Sequence, residues 1–185
     1  EKVTITAAVP TVWLMLLTHL QENNLKLPHL KKVLIGGSAI PEKILRAFEQ
    51  DYEVDVVHAW GMTETTPLGA VSRLKRGMEN LTADEQYQTR TKQGIAVPFV
   101  EVRVVNDDGE APWDGEAMGE LQVRGPWIAA SYYKAEEDRE KWGEDGWFGT
   151  GDVVDSFEFF LPGGFEDIRQ IGCQNGSRVT EIVER

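Results

Sequence analysis

The stretch that decides the fold runs from residue 32 to residue 67 and reads KVLIGGSAIPEKILRAFEQDYEVDVVHAWGMTETTP. The apolar run 32–35 predicts a short strand, and Pro41 with Glu42 begins a helix that carries its apolar residues on one side. A second apolar run, 54–59, predicts another strand. A strand, a helix and a strand with short connections predict a parallel pair joined by a right-handed crossover, and therefore an α/β fold.

The flanking sequence divides the chain into three parts. A helix is expected from Pro10, because the fixed φ of proline suits a first helical turn, and Trp13, Leu16, Leu17 and Leu20 follow at helical spacing. Residues 68–93 are polar, with a helix expected near 81–90, Thr82 as its cap and Glu85 at the capping-box position. From Gly94 valines alternate with polar residues, which is typical of strands, and Asn106-Asp107-Asp108-Gly109 predicts a turn. We expect residues 1–93 to form part of a large α/β subdomain and residues 94–154 a small β-rich one. Residues 155–185 follow neither period and form an aberrant tail.

Composition excludes several classes of protein. Of the 185 residues, 31 are acidic and 19 basic, giving a formal charge of -12. Such a surface repels phosphate backbones, so nucleic acid is not an expected partner. The single cysteine, Cys173, rules out an intrachain disulfide and fits a reducing compartment, so a cytoplasmic location is expected. No apolar run approaches the roughly 20 residues that span a bilayer, so no integral membrane segment is expected. The start at Glu1, without an initiator Met, favours a fragment.

The most informative motif is HAWGMTETTP at 58–67, which follows the second predicted strand. It therefore lies at a carboxyl end, where open α/β sheets bind ligands. Gly61 allows a tight turn, Thr63 supplies a hydroxyl, and Glu64 supplies a hard oxygen of the kind Mg²⁺ takes. Trp60 offers a flat face on which a base could stack. Composition alone also allows a polar loop beside a buried tryptophan.

Two further motifs consist of small residues next to polar ones. Gly36-Gly37-Ser38-Ala39 ends the first predicted strand, where small residues let a flat ligand approach the main chain. It could equally be an ordinary strand-to-helix turn. Residues 146–152, GWFGTGD, end in Asp152, whose carboxylate could accept hydrogen bonds from a vicinal diol such as ribose. A turn-capping aspartate is the alternative interpretation.

Together, in this order and spacing, these motifs resemble the adenylate-forming superfamily of acyl-CoA synthetases, luciferases and peptide-synthetase adenylation domains. The resemblance covers residues 1 to about 154 and includes Val9-Pro10-Thr11, residues 119–125 (GELQVRG) and Tyr132-Tyr133. Within the superfamily, the chain looks most like bacterial medium- or long-chain fatty-acid–CoA ligases and methylthiopropanoate–CoA ligases. The resemblance implies a partial N-terminal domain of an acyl-CoA synthetase. In this domain a parallel βαβ layer from the large AMP-binding subdomain adjoins a small β-rich subdomain.

The resemblance also implies a two-step reaction that uses ATP, Mg²⁺ and CoA. A small-molecule carboxylic acid attacks the ATP α-phosphate to give acyl-AMP and pyrophosphate, and the CoA thiol then displaces AMP. The implied nucleotide-binding residues are Gly36, Gly37, Ser38, Ala39, Trp60, Gly61, Met62, Thr63 and Asp152. Thr63 and Glu64 are the implied catalytic residues.

Each implied role is specific. Trp60 would stack on adenine, and the backbone of residues 36–39 would line its pocket. Thr63 would bond the α-phosphate, Glu64 would hold Mg²⁺, and Asp152 would bind the ribose hydroxyls. The physical task is to stabilise charge on a pentavalent phosphorus by metal and preorganised donors.

Other parts of the family pattern are not seen in the sequence. A Ser/Thr/Gly-rich phosphate loop is expected upstream, and a mobile C-terminal domain with a catalytic lysine is expected downstream. The family hinge should start near residue 165, where the chain reads FEDIR. A hypothesis is that residues from about 165 onward are translated out of frame. We therefore expect a fragment that is inactive alone, from a parent that could form a homodimer. The alternatives are an adenylation domain that loads a carrier protein and a non-catalytic, degenerate gene product.

Overall fold

The computed structural model describes residues 1–134, 136–159 and 168–178. The helices are α1 (Pro10–Glu22), α2 (Glu42–Arg46) and α3 (Ala83–Thr91). The strands are β1 (Ile5–Ala8), β2 (Lys32–Ile35), β3 (Asp55–Trp60), β4 (Ala70–Ser72), β5 (Ile95–Ala96), β6 (Glu101–Asn106), β7 (Gly109–Glu110), β8 (Asp114–Arg124), β9 (Phe148–Phe159) and β10 (Ile168–Arg178). A π-helical turn, Ala47–Asp51, extends α2, and 3₁₀ turns lie at Thr63–Thr65, Met78–Asn80 and Glu136–Lys141.

In the first sheet, the described strands lie in the order β1-β2-β3-β4-β5. β2 pairs in parallel with both β1 and β3, and Ile35 lies opposite His58. β4 and β5 add to the β3 side in antiparallel pairing. The predicted parallel pair is confirmed. β1 and β4 were not predicted, because neither of these short segments is a continuous run of large apolar residues like that of β2.

The helices of the first sheet bury the faces that their apolar spacing predicts. α1 begins at Pro10 and buries Trp13, Leu17 and Leu20, as expected. The Trp13 indole packs edge-on against Phe48, with ring centroids 5.4 Å apart. α3 begins after Thr82, whose hydroxyl accepts a hydrogen bond from the backbone N–H of Glu85 at 3.3 Å. The Glu85 carboxylate returns a bond to the Thr82 N–H at 2.8 Å, which completes the predicted capping box.

The second sheet is antiparallel, and its described strands lie in the order β10-β9-β8-β6-β7. Val104 and Leu121 are opposite each other on β6 and β8, and both are fully buried. The turn predicted after β6 is present, with the Asp108 N–H donating to the Asn106 side chain at 3.0 Å. The core of this sheet also takes in Trp60, the last residue of β3. The two sheets therefore meet at the end of that strand.

The end of the chain departs from the sequence prediction. No strand was expected there, yet β10 pairs antiparallel with β9, from Ile168 opposite Phe159 to Cys173 opposite Val154. Main-chain pairing requires an open strand edge and no particular side-chain period, which is why the sequence pattern did not show it. Residues 160–167 and 179–185 lie outside the described residues. The out-of-frame hypothesis for residues 165–185, like the proposed domain boundaries, stays a prediction.

The lengths of the helices bear on whether the chain could cross a membrane. A transmembrane helix needs about 20 apolar residues. Within the described ranges, none of the helices is long and apolar enough to cross a membrane.

Candidate functional site

Two of the three motifs lie at the carboxyl edge of the first sheet. The first follows β2 at Gly36 and the second follows β3 at Gly61, so the parallel pairing brings their loops side by side. A Cβ on Gly36 would lie 3.0 Å from the carbonyl oxygen of Ala59. Gly37 adopts a φ of +84°, which favours glycine. Gly37 and Ser38 are exposed, so this backbone is open to a ligand.

The third motif comes from the second sheet and is joined to the second motif by a hydrogen bond. Asp152 lies on β9, and its Oδ2 accepts a hydrogen bond from Trp60 Nε1 at 2.9 Å. The hydroxyl of Thr150 in turn accepts from the Asp152 backbone N–H at 3.1 Å. The fold therefore brings the three motifs together. Trp60 and Asp152, which form the connecting bond, are 92 positions apart in the sequence.

Trp60 is more enclosed than its sequence suggested. It is only 8% exposed and packs in the core of the second sheet. A Cβ on Gly69 would lie 2.3 Å from the ring, so Gly69 is needed to admit the indole. The interpretation of Trp60 as a buried tryptophan is therefore supported, and its stacking on a base stays a prediction.

The loop from Gly61 to Pro67 is held by its own backbone and by one buried hydroxyl. A Cβ on Gly61 would lie 1.7 Å from the Pro67 carbonyl oxygen, so the close approach expected at this glycine is made by the loop itself. The Thr65 hydroxyl, fully buried, accepts from the Met62 N–H at 2.9 Å and lies 2.7 Å from the Pro67 carbonyl oxygen, to which it can donate. Thr63 is exposed on the outside of this turn.

Glu64 is anchored by the loop that joins β8 to β9. Its carboxylate Oε1 accepts a hydrogen bond from the hydroxyl of Tyr132, and this bond raises the pKa of the tyrosine. Its backbone carbonyl accepts from the Ala129 N–H at 2.8 Å. Among the described residues, no group of three or more His, Cys, Asp or Glu side chains is placed to hold a metal ion. A metal at Glu64 would therefore need ligands from phosphate or water as well.

His58 ties the neighbouring elements together behind the loops. It is 2% exposed, and its Nδ1 lies 3.0 Å from the Lys92 carbonyl oxygen. It also interacts with the backbones of Arg90 and Ser38. Burial lowers the pKa of this imidazole, against the opposing effect of those backbone contacts. Burial therefore disfavours the charged form of His58, and one of its contacts is to the Gly36–Ala39 loop.

Thr65 and Tyr132 were not assigned roles from the sequence. Thr65 could have been suspected, because a threonine inside a tight turn has a hydroxyl that competes for backbone bonds. Tyr132 stands 68 positions from its partner Glu64, and no local signal marks that contact.

Comparison with known proteins identifies the family of this chain. The sequence model of the family described as "AMP-binding enzyme" matches residues 1–133. This chain belongs to the AMP-binding enzyme family. A 3-methylmercaptopropionyl-CoA ligase of Ruegeria lacuscaerulensis is 42% identical over 153 residues, which are 82% of this chain and 28% of that protein. A long-chain-fatty-acid–CoA ligase of Thermus thermophilus is 40% identical over 156 residues, 83% of this chain and 29% of that protein.

The fold comparison gives the same answer. The inhibitor-bound N-terminal domain of FACL13 from Mycobacterium tuberculosis superposes with a TM-score of 0.71 at 21% identity. The match covers 96% of this chain and 39% of that one. The α/β fold is therefore that of part of the N-terminal domain of AMP-binding ligases. The chain spans about 28% of the length of the curated relatives reported above.

Proposed function

We propose that this chain forms part of the nucleotide site of an ATP-dependent fatty-acyl-CoA synthetase. The observation that carries the proposal is the hydrogen bond from Trp60 to Asp152, because it unites an aromatic ring and a diol-binding carboxylate at the edge where α/β sheets bind ligands. The names of relatives that are about 40% identical, all ligases that join a carboxylic acid to CoA, support the reaction class.

The site offers AMP a separate contact for each of its parts. Adenine would lie between the open backbone of residues 36–39 and the exposed part of Trp60. Asp152 would take the ribose hydroxyls. A carboxylate has about four lone-pair sites, so the single bond from Trp60 leaves capacity for two hydroxyl donors. Thr63 is exposed at the turn and would donate to the α-phosphate.

Glu64 fits a magnesium ion that is shared with the nucleotide. Mg²⁺ in phosphate-transfer sites is usually held by one or two carboxylates together with phosphate oxygens and water. Glu64 is partly exposed, and because Tyr132 binds its Oε1, its Oε2 is the oxygen that would meet the metal. Glu64 and Asp152 are both acidic and the phosphates of ATP are anionic. A cation is therefore needed to offset the repulsion between them. When bound, Mg²⁺ would neutralise charge that develops on the phosphates.

In this mechanism the chain's own residues bind and orient. Asp152 and the 36–39 backbone fix the nucleoside, so that the α-phosphate is presented to the incoming carboxylate. Thr63 donates a hydrogen bond where negative charge grows as the carboxylate attacks and pyrophosphate leaves. The CoA thiol then attacks the acyl carbonyl, and AMP leaves.

Two broader expectations belong to the same proposal. A protein of this kind would act in the cytoplasm, and the single cysteine is consistent with a reducing compartment. The full-length protein could form a homodimer.

The test is ATP–pyrophosphate exchange in the full-length protein that contains this chain. Exchange should depend on added acid when butanoate, octanoate, palmitate and 3-(methylthio)propanoate are compared, and CoA should then be consumed to a thioester. Asp152→Asn is the internal control, since it keeps the shape and removes the charge. Absence of acid-dependent exchange with every acid would refute the proposal. Acyl transfer to a carrier protein in place of CoA would replace the ligase assignment with a loading role.

A further inference from the structure

Tyr132 lies in the loop between β8 and β9 of the second sheet and reaches the proposed metal ligand. Its hydroxyl donates to Glu64 Oε1, and hydroxyl and carboxylate come from segments 68 positions apart. Tyr132 is partly buried, whereas the adjacent Tyr133 is 88% exposed. The hydroxyl therefore takes part in a specific contact, unlike that of its neighbour.

The segment that carries Tyr132 is attached to the motif loop along its length. The Ala129 N–H donates to the Glu64 carbonyl at 2.8 Å, and the Thr66 hydroxyl donates to the Trp127 carbonyl at 2.8 Å. Trp127 Nε1 returns a bond to the Leu68 carbonyl at 3.3 Å. These bonds run in both directions, so residues 127–132 and 64–68 are held in one register.

Tyr132 is itself supported from behind. Its ring packs edge-on against Trp142, with centroids 5.2 Å apart, and Trp142 Nε1 donates to the Ala129 carbonyl at 2.6 Å. The Lys141 ammonium lies 5.1 Å from the centroid of the Tyr132 ring and pairs with Asp138 at 2.9 Å. The phenol is thereby fixed before any ligand arrives.

We propose that Tyr132 is a positioning residue for Glu64: its hydroxyl holds one carboxylate oxygen so that the other is presented to the nucleotide-bound Mg²⁺. A free glutamate samples several rotamers and would have to be ordered when the metal binds. A neutral phenol orders it in advance and leaves its negative charge intact, which a lysine in the same place would not do. The inference rests on the proposed role of Glu64. Partners that orient metal ligands in this way typically change metal affinity or activity by about 10–100-fold when they are removed.

The experiment compares Tyr132→Phe with Tyr133→Phe in the full-length protein. Both variants lose one hydroxyl, and Tyr132→Phe keeps the ring that packs on Trp142. ATP–pyrophosphate exchange is measured at fixed total ATP over a range of Mg²⁺ concentrations, and AMP binding is measured without metal. Tyr132→Phe should raise the Mg²⁺ concentration for half-maximal exchange about tenfold, with the rate largely recovered at high Mg²⁺. AMP affinity without metal should not change, and Tyr133→Phe should match the wild type.

Two results would overturn the inference. One is an unchanged Mg²⁺ requirement in Tyr132→Phe. The other is a loss of exchange that is equal at all Mg²⁺ concentrations and accompanied by weaker AMP binding, since that describes a structural residue. Glu64→Gln separates this inference from the proposed function. If Glu64→Gln leaves the Mg²⁺ requirement unchanged, the metal role of Glu64 is wrong and the inference falls with it. If Glu64→Gln changes it and Tyr132→Phe does not, only the inference is wrong.

A double variant gives a second measurement that does not depend on the absolute activity of either single variant. In the Glu64→Gln background, adding Tyr132→Phe should change the Mg²⁺ requirement no further, because the carboxylate that Tyr132 orients is already gone. Additive effects of the two substitutions would overturn the proposal.

Discussion

Thr65→Val removes one buried hydroxyl from the turn between Met62 and Pro67 and preserves the shape of the side chain. The Thr65 side chain is fully buried. Its oxygen accepts from the Met62 N–H at 2.9 Å and can donate to the Pro67 carbonyl at 2.7 Å. Valine satisfies neither group, so two backbone groups lose a partner at once.

The cost follows from those two groups. An unsatisfied buried donor or acceptor costs about 1–3 kcal/mol. Because the bonds are only partly buried, the lower part of that range applies to each, which gives about 2–3 kcal/mol for Thr65→Val. Thr65→Ser is the matched control, since it keeps the hydroxyl and loses one methyl group, at a cost of about 1 kcal/mol.

Thermal unfolding of the 185-residue chain, followed by tryptophan fluorescence, measures the difference. For a chain of this size, about 2–4 °C corresponds to each kcal/mol. Thr65→Val should therefore lower the Tm by about 4–12 °C, and Thr65→Ser by about 2–4 °C. Thr63→Val, at an exposed position in the same turn, should leave the Tm within about 2 °C. If Thr65→Val were no less stable than Thr65→Ser, the hydroxyl would not be what holds this turn.

Four further expectations can be checked with standard assays. The 185-residue chain alone should show no ATP–pyrophosphate exchange with octanoate or palmitate, because it spans about 28% of the ligases it resembles; exchange above a no-enzyme control would contradict this. In the full-length protein, Glu64→Gln should raise the adenylation barrier by about 2–4 kcal/mol and largely spare thioester formation from supplied acyl-AMP, whereas equal losses would remove the metal role. Asp152→Ala should raise the KM for ATP, since a ribose contact is mostly uniform binding; an unchanged KM counts against that contact. Burial lowers the pKa of His58, so the unfolded chain takes up a proton at higher pH than the folded chain, and stability should fall as the pH drops below about 6.5. His58→Gln should flatten this slope in urea unfolding at pH 7 and pH 5, the exposed His29→Gln should keep it, and equal slopes in all three proteins would refute the assignment.

The sequence predicted the parts of the fold whose signals are local. The apolar spacing in α1 and the Thr82–Glu85 capping box each lie within one element, and both are confirmed. The adjacency of the 36–39 and 61–67 loops was also predictable, because the carboxyl ends of neighbouring parallel strands meet at one edge. The periodic spacing of apolar side chains and the capping residues are sufficient to predict these helices and the order of neighbouring strands.

Contacts between the sheets were beyond a local pattern. The burial of Trp60 depends on Gly69 and on how the second sheet packs, and the bond from Tyr132 to Glu64 crosses 68 positions. β10 needed only an open edge on β9. In each case the contact partner is distant in sequence, and the spacing of apolar and polar residues along the chain does not predict the contact.

These distant contacts bear on the extent of the proposed nucleotide site. The motif residues from Gly36 to Glu64 lie at the end of β3 and in the loops that follow β2 and β3, yet the turn that carries Thr63 and Glu64 is fastened by residues 127–132, and Trp60 is fastened by Asp152. A polypeptide that ended before residue 126 would retain the Gly36–Ala39 and Trp60–Glu64 motifs and lose all of these attachments. The turn would then keep only its internal contacts, such as those of Thr65, and the ligand would have to supply the rest of its order, at a cost in binding free energy. The second sheet and the loop between β8 and β9 are therefore part of the proposed site, because they hold it in shape, and Asp152 is only one of their contributions.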